Sequence, residues 1–226
     1  MSEVENIKQR YEERKKDSYL QKKYSSSAFI ENMVAEREKL YELRIREKLG
    51  EVSKIKVLEV GAGSGYNLHL FMKMGVPVQN IYANELLDDR VEQLGNNYPH
   101  IHIYPGNALD LPFENEFDVV FQSTVFTSIL NNDFRKQLAQ KMWRMTKPGG
   151  MILWYDFIFS NPSNPDVKKV SKKEVSLLFP HAKNIRFDSV TLAPPIARKV
   201  GSLYEFINWM FPFLRTHIVA VIPKDN

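Results

Sequence analysis

From residue 55 onward, short apolar runs alternate with stretches of helical period, and no other feature restricts the fold of this chain as much. The runs are "IKVLEV" (55–60), "QNIYAN" (79–84), "IHIY" (101–104), "FDVVFQ" (117–122) and "MILWYDF" (151–157). Helical patterns fall near 65–74, 88–97, 132–146 and 172–179, and the third stops at "KPGG", which ends a helix and turns the chain. This alternation predicts an α/β domain, a parallel sheet wrapped by helices. The tail departs from it. "KNIRFDSVTLA" and "RTHIVAVIP" read as two strands with only a helical insertion, "ARKVGSLYEFINWMF", between them, and such a pair is most simply antiparallel.

Ahead of the sheet, residues 1 to about 49 read as two helical segments joined by the polar hinge "KKYSSSAF". The second places Ile30, Val34, Leu40, Leu43 and Leu49 at helical spacing and ends at Gly50. The expected organisation is a helical N-terminal part over 1–50 and a main domain over 51–226, with an insertion near 194–214 on the substrate side. A chain of 226 residues, 43% hydrophobic, is long enough to bury one substantial core.

Composition removes several chemistries. With no Cys, there are no disulfides, thiolate zinc sites or Cys nucleophiles. The N-terminus alternates acidic and basic residues without an apolar stretch of signal-peptide length. The longest apolar run, "FINWMFPFL" at 206–214, is interrupted by Asn208 and Pro212 and is too short to span a bilayer. A cytoplasmic protein without a membrane span is expected. The net charge of +4 comes from scattered Lys and Arg, which suit a solvated surface better than a nucleic-acid face.

The stretch "VLEVGAGSGYNLHLF" (57–71) carries the chemistry. Gly61, Gly63 and Gly65 let the backbone turn sharply out of a buried strand and approach a ligand closely. A dinucleotide fingerprint G-x-G-x-x-G would need glycine at 66, where Tyr66 stands. A phosphate-binding P-loop would need a Lys that the turn lacks. Glu59, on an apolar strand just before the turn, is costly to bury without a partner. The ammonium of an amino-acid ligand or the amides of the turn would serve as one. Glu85, at the end of the second strand, lies where an acidic side chain can accept from both hydroxyls of a ribose. Capping of the following helix by Glu85 or Asp88 is the plain alternative.

Four segments in order, "VLEVGAGSG", "ANELLDDRVEQL", "GNALDLPFENEFDVVFQSTVF" and "MWRMTKPGGMILWYDF", make residues 55–157 resemble the class I S-adenosylmethionine-dependent methyltransferases. The tail also looks like a bacterial subgroup of these enzymes associated with gene sets for surface-glycan or natural-product synthesis. The resemblance implies a Rossmann-like, seven-stranded, mostly parallel sheet with helices on both faces, an antiparallel last strand and N-terminal helices folded over the cofactor as a lid. It implies EC 2.1.1 chemistry with S-adenosylmethionine as cofactor and S-adenosylhomocysteine as product. Glu59, Gly61, Ala62, Gly63 and Gly65 would hold the methionine portion; Glu85, with Leu86 beside it, would take the ribose. Asn107, Ala108 and Leu109 would meet adenine, Asn107 replacing the acidic residue usual there and still able to accept from the exocyclic amine. Gln122 and Ser123 would lie beside the methionine end and the incoming acceptor. "QSTV" at 122–125 argues against a nucleic-acid base as acceptor, and Gln122 argues against a metal, because metal-dependent relatives carry an acid there.

The acceptor side is less sharply marked. Asp156 in "LWYDF" is a candidate general base, since ligands bind outside the carboxyl ends of such strands; a structural tie is the alternative. Tyr155, a candidate acceptor contact, should point to the opposite face from Asp156. His217, at the start of the last strand, is a candidate base or acceptor contact. Tyr24 in the hinge and Arg198 beside "APPIA" are candidate acceptor contacts. Tyr11 and Phe29 lie on the N-terminal helices. The leading expectation is metal-independent O-methylation of a sugar, glycan or other small molecule. Alternatives are an RNA or protein methyltransferase and an inactive cofactor-binding subunit.

Overall fold

The computed structural model describes residues 2–16, 28–159 and 164–225, so Tyr24 lies outside the described residues, as does the side chain of Phe29. Two helices, α1 (Glu3–Lys16) and α2 (Ala28–Leu49), precede the sheet. There follow β1 (Val57–Val60), α3 (Leu68–Met74), β2 (Ile81–Glu85), α4 (Asp88–Asn97), β3 (His102–Pro105) and β4 (Phe117–Ser123). The chain continues with α5 (Asn132–Met145), β5 (Thr146–Phe157), α6 (Lys172–Leu178) and β6 (Arg186–Leu192). It closes with α7 (Pro194–Val200), α8 (Tyr204–Met210) and β7 (Arg215–Pro223).

The seven strands form one sheet in the order β3-β2-β1-β4-β5-β7-β6. All pairs are parallel up to β5, and β7 runs antiparallel to both β5 and β6. The mostly parallel Rossmann-like sheet with an antiparallel end is therefore as the sequence predicts. The order reverses at β1, where neighbours β2 and β4 diverge, and this opens the crevice in which ligands of such sheets sit.

Period-two alternation divides the core into two layers. On one face Val57, Val119, Phe121, Leu153 and Tyr155 pack under Tyr41 and Ile45 of α2 and Phe71 of α3. On the other Leu58, Val120, Ile152 and Trp154 pack under Leu138 and Met142 of α5 and Val175 of α6. Local chemistry sets several helix ends. Asn131 accepts from the Asp133 and Phe134 amides, and Ser171 with Glu174 forms a capping box.

Two boundaries differ from the sequence reading. The helix expected from 65 begins at Leu68, because Gly65 holds φ +90° and cannot enter a right-handed turn. The strand expected from 151 begins at Thr146, which pairs with Phe117 before the register shifts. "KPGG" is thus drawn into the sheet edge rather than left as a loop.

Helix α2 is fastened to the far end of the sheet. Arg44 donates from Nε and Nη2 to both oxygens of Asp188 on β6, each at 2.7 Å. Helix α1 is fastened instead across the crevice. Glu3 accepts from the Leu130 amide at 2.9 Å, and Arg10 donates to the Ser128 carbonyl at 3.0 Å. Lys15 meets Asp89 at the start of α4, 3.0 Å away.

Candidate active site

The carboxyl ends of β1, β2 and β4 open into a cleft of about 540 Å³. Gly61, Ala62 and Gly63 of the first turn line it, as do Glu85 and Leu86 after β2, Asn107 and Ala108 after β3, and Ser123 after β4. These eight of the residues proposed from sequence converge on one wall system. Val4, Ile7 and Tyr11 of α1 and Arg37 of α2 close the cleft from outside.

The turn has a defined scaffold. Ala62 donates its amide to the Asn84 carbonyl at 2.9 Å, and Gly63 donates to Glu85 Oε2 at 2.7 Å. Gly61 sits at φ +67°, and a Cβ there would fall 2.5 Å from Val125 Cγ2, so only glycine lets the two rims approach. Gly65 has a different task. A Cβ there would run into the Tyr98 ring and Leu94, which makes it a packing residue beneath the turn, and it is not on the cleft wall.

Glu85 also accepts from the Leu86 and Leu87 amides through Oε1, at 2.8 and 2.9 Å. Its carboxylate is thereby fixed at the rim, with lone pairs remaining on Oε2 to accept from a ligand hydroxyl. The ribose and cap alternatives for Glu85 are compatible, since one carboxylate braces the turn and faces the cleft. Asn107 accepts from the Leu109 amide at 3.1 Å through Oδ1. The carbonyl expected to meet adenine therefore already caps a short helical turn. Leu109 lies behind Asn107, outside the cleft lining.

Glu59 is fully buried behind the turn rather than on the cleft wall. Its Oε1 accepts from Asn67 Nδ2 at 2.6 Å, and its Oε2 has no partner. Burial pushes its pKa up to about 8, against the lowering effects of Asn67 and the Arg37 charge. Arg37 approaches the other end of the same amide, Nη2 lying 3.5 Å from Asn67 Oδ1. Its guanidinium stacks between Tyr155 and Tyr66, at 5.3 and 5.8 Å from the ring centroids, and its Nε is buried without a partner. One unpaired carboxyl oxygen and one unpaired guanidinium N–H thus lie on either side of Asn67. That pair of needs is met by the zwitterionic end of an amino acid, so the residues fit the methionine portion of S-adenosylmethionine.

Four acceptor-side expectations are corrected. Asp156 is fully buried, accepting from Thr127 Oγ1 at 2.7 Å and from Gln122 Nε2 at 3.1 Å. Gln122 in turn accepts from the Val125 amide at 3.0 Å, so it is no cofactor contact. The two side chains pin the turn 122–127 from below, and neither reaches the cleft. Burial raises the Asp156 pKa to about 7, partly offset by these hydrogen bonds. Tyr155 lies on the opposite face from Asp156, under Arg37, with its hydroxyl 3.2 Å from Thr191 Oγ1. His217 stacks on Tyr155 at 5.2 Å, and burial lowers its pKa to about 4, leaving it neutral and away from the cleft. Arg198 is exposed on α7 and also away from the lining. Arg37, Asn67 and Arg90 were missed. Arg37 and Arg90 belong to charged helical stretches and Asn67 occupies the N-cap position of the helix after the glycine turn, and periodicity alone gives no sign that they face a ligand.

Comparison with known proteins agrees with this geometry. Residues 58–154 match the family of methyltransferase domains. An uncharacterized protein of Haemophilus influenzae is 24% identical over 127 residues, covering 54% of this chain and 50% of its own length. The chain thus spans about half the length of that relative. A SAM-dependent methyltransferase of Archaeoglobus fulgidus has a similar fold, with TM-score 0.58 and 16% identity over 91% of this chain and 99% of its own. So has the 1,6-didemethyltoxoflavin-N1-methyltransferase of Burkholderia thailandensis, solved with S-adenosylhomocysteine bound. Its TM-score is 0.61 and its identity 15%, over 88% of this chain and 86% of its own. The domain match and the sheet agree: residues 58–154 of this chain are similar to a methyltransferase domain, and the fold around them is one that methyltransferases of known structure share.

Proposed function

We propose that the protein transfers the methyl group of S-adenosylmethionine to a small-molecule acceptor, at an oxygen of a sugar, glycan or comparable compound, without a metal. The observation that carries the cofactor half is Glu85 held at the cleft rim, facing the glycine turn, with Glu59 and Arg37 unsatisfied on either side of Asn67. The size of the cleft, about 540 Å³, lies in the range of roughly 300–1,000 Å³ typical of small-molecule sites. Its lining cations, Arg37 and Arg90, stack on Tyr66, Tyr155 and Tyr11 rather than forming a basic track, which favours a small acceptor over RNA.

Bound there, the cofactor supplies a methyl already activated by its sulfonium. The protein's part is alignment. Glu85 and the 61–63 turn fix one end of the ligand, and Ser123, Thr124 and Val125 wall the reacting end. Thr127, Gln122 and Asp156 hold that wall from beneath. Proximity of this kind replaces much of the barrier when reacting atoms lie about 3–3.5 Å apart. Asp156 and His217 are withdrawn from the cleft, so neither takes the acceptor's proton. The N-terminal helix α1, strapped across both rims, acts as the lid. Incubation with labelled S-adenosylmethionine and a panel of sugars, phenols and amines tests this reading. Label appearing in protein or RNA and in none of the small molecules would overturn the acceptor assignment.

A further inference from the structure

The segment between β6 and β7 turns a row of large apolar side chains outward. Along residues 203–213 the large apolar side chains Leu203, Phe206, Trp209, Met210 and Phe213 are 58, 56, 72, 46 and 75% exposed. Their spacing of three, three, one and three places them on one face of α8 and the turn after it. The inner face packs Tyr204 and Ile207 against Leu192 and Ala197 and is tied by polar groups as well. Tyr204 donates its hydroxyl to Glu36 Oε2 at 2.8 Å, and Asn208 donates to Glu36 Oε1 at 2.6 Å. Arg215 donates to Asn208 Oδ1 at 2.9 Å, to the Asn208 carbonyl at 2.7 Å and to the Ser189 carbonyl at 3.0 Å. Rolling the helix to bury its aromatic ridge would break this buried set, so the ridge is presented to the outside rigidly.

We propose that the 203–213 ridge is a shallow docking element for an anionic phospholipid surface. Three observations select this occupant. The exposed set combines Trp and Phe with Leu and Met, the composition of helices that lie in the headgroup boundary. Arg198 and Lys199 stand exposed at the end of α7, just before the ridge, against the single acid Glu205. The ridge is a single file of five side chains, whereas a stable interface between two copies needs roughly 20–30 residues a side. Among the described residues no helix is long and apolar enough to cross a membrane, so the contact is peripheral. The proposal is independent of the acceptor, since it needs no ligand in the cleft.

The test uses the full chain without cofactor and two vesicle types, phosphatidylcholine alone and phosphatidylcholine mixed with phosphatidylglycerol. Trp154 is fully buried and Trp143 partly so, which makes Trp209 the exposed reporter. The expected result is co-sedimentation with the mixed vesicles, a blue shift of tryptophan emission and loss of both in high salt. A Phe206→Glu, Phe213→Glu double variant leaves the inner hydrogen bonds and Trp209 intact. It should weaken vesicle binding on the order of 100-fold while keeping its response to S-adenosylhomocysteine. No binding by the native chain, or equal binding by the variant, would overturn the proposal. So would self-association that the variant abolishes, which assigns the ridge to a second copy. A failure to respond to S-adenosylhomocysteine would instead strike the cofactor reading and leave the vesicle result standing.

Discussion

Replacing Glu59 by Gln separates two consequences of burying a carboxylate with one orphaned oxygen. In the folded chain its pKa is raised from 4.5 to about 8, so the fold binds a proton that the unfolded chain has released. Stability from this group is complete below the unfolded value and is lost as pH rises through the folded one. Asp156, raised from 3.8 to about 7, acts in the same direction. His217, lowered from 6.5 to about 4, acts in the opposite direction, but its contribution is nearly complete by pH 6.5. Between pH 6.5 and 8 the linkage relation gives losses of about 2 kcal/mol from Glu59 and about 1 from Asp156, against a gain of under about 1 from His217. A net loss of about 2 kcal/mol lowers the Tm of a chain this size by roughly 4–8 °C. Glu59→Gln should keep only a minor part of that loss, a fall of roughly 1–2 °C. The same variant removes the carboxyl that would ionise against the cofactor ammonium and should weaken S-adenosylhomocysteine about 10- to 100-fold. Thermal melts across this pH range, with titration calorimetry at pH 7.5, measure both. Equal pH slopes in the two proteins, or an unchanged affinity, would refute the reasoning.

Three further substitutions probe the wall of the cleft. Asp156→Asn keeps its bond from Thr127 but sets an amide against Gln122 Nε2, so it should cost about 1–2 kcal/mol of stability and leave turnover within a few-fold. A general base would instead show a loss of roughly 10²- to 10⁴-fold in a methyl-transfer assay. Gly61→Ala drives a methyl into Val125 and demands positive φ, so cofactor affinity should fall by more than about tenfold in calorimetry. Glu85→Gln puts an NH₂ against backbone donors, either the Gly63 amide or those of Leu86 and Leu87. It should weaken S-adenosylhomocysteine more than it lowers Tm in ligand-free melts.

The sheet was legible because strand and helix periods differ and each run is bounded by Gly, Pro or Asn; β1 to β5 and the antiparallel pair all follow from that pattern. The rim of the cleft was legible for a related reason. Glycines at 61 and 63 and an acid at 85 sit where backbone geometry, more than packing, decides the residue. The acceptor side was not legible, because Asp156, Gln122 and His217 have the residue types of catalysis and the burial of structural ties. Only coordinates show that Asp156 serves Thr127 and Gln122 rather than the cleft. Arg37 was hidden for the converse reason. It lies in "VAEREKLYELRIREK", where a cation every few residues reads as a solvated helix face, yet Arg37 is half-buried against Tyr155 and Arg44 is buried against Asp188.

The central claim, that the cleft at β1, β2 and β4 is the S-adenosylmethionine site, is tested most directly by ligand-dependent melting. At one hundred times its Kd, S-adenosylhomocysteine should add about 2.7 kcal/mol, a Tm rise of roughly 5–11 °C, and Glu85→Gln should need far more ligand for the same rise. No rise with S-adenosylhomocysteine, together with a rise in NAD, would contradict the account.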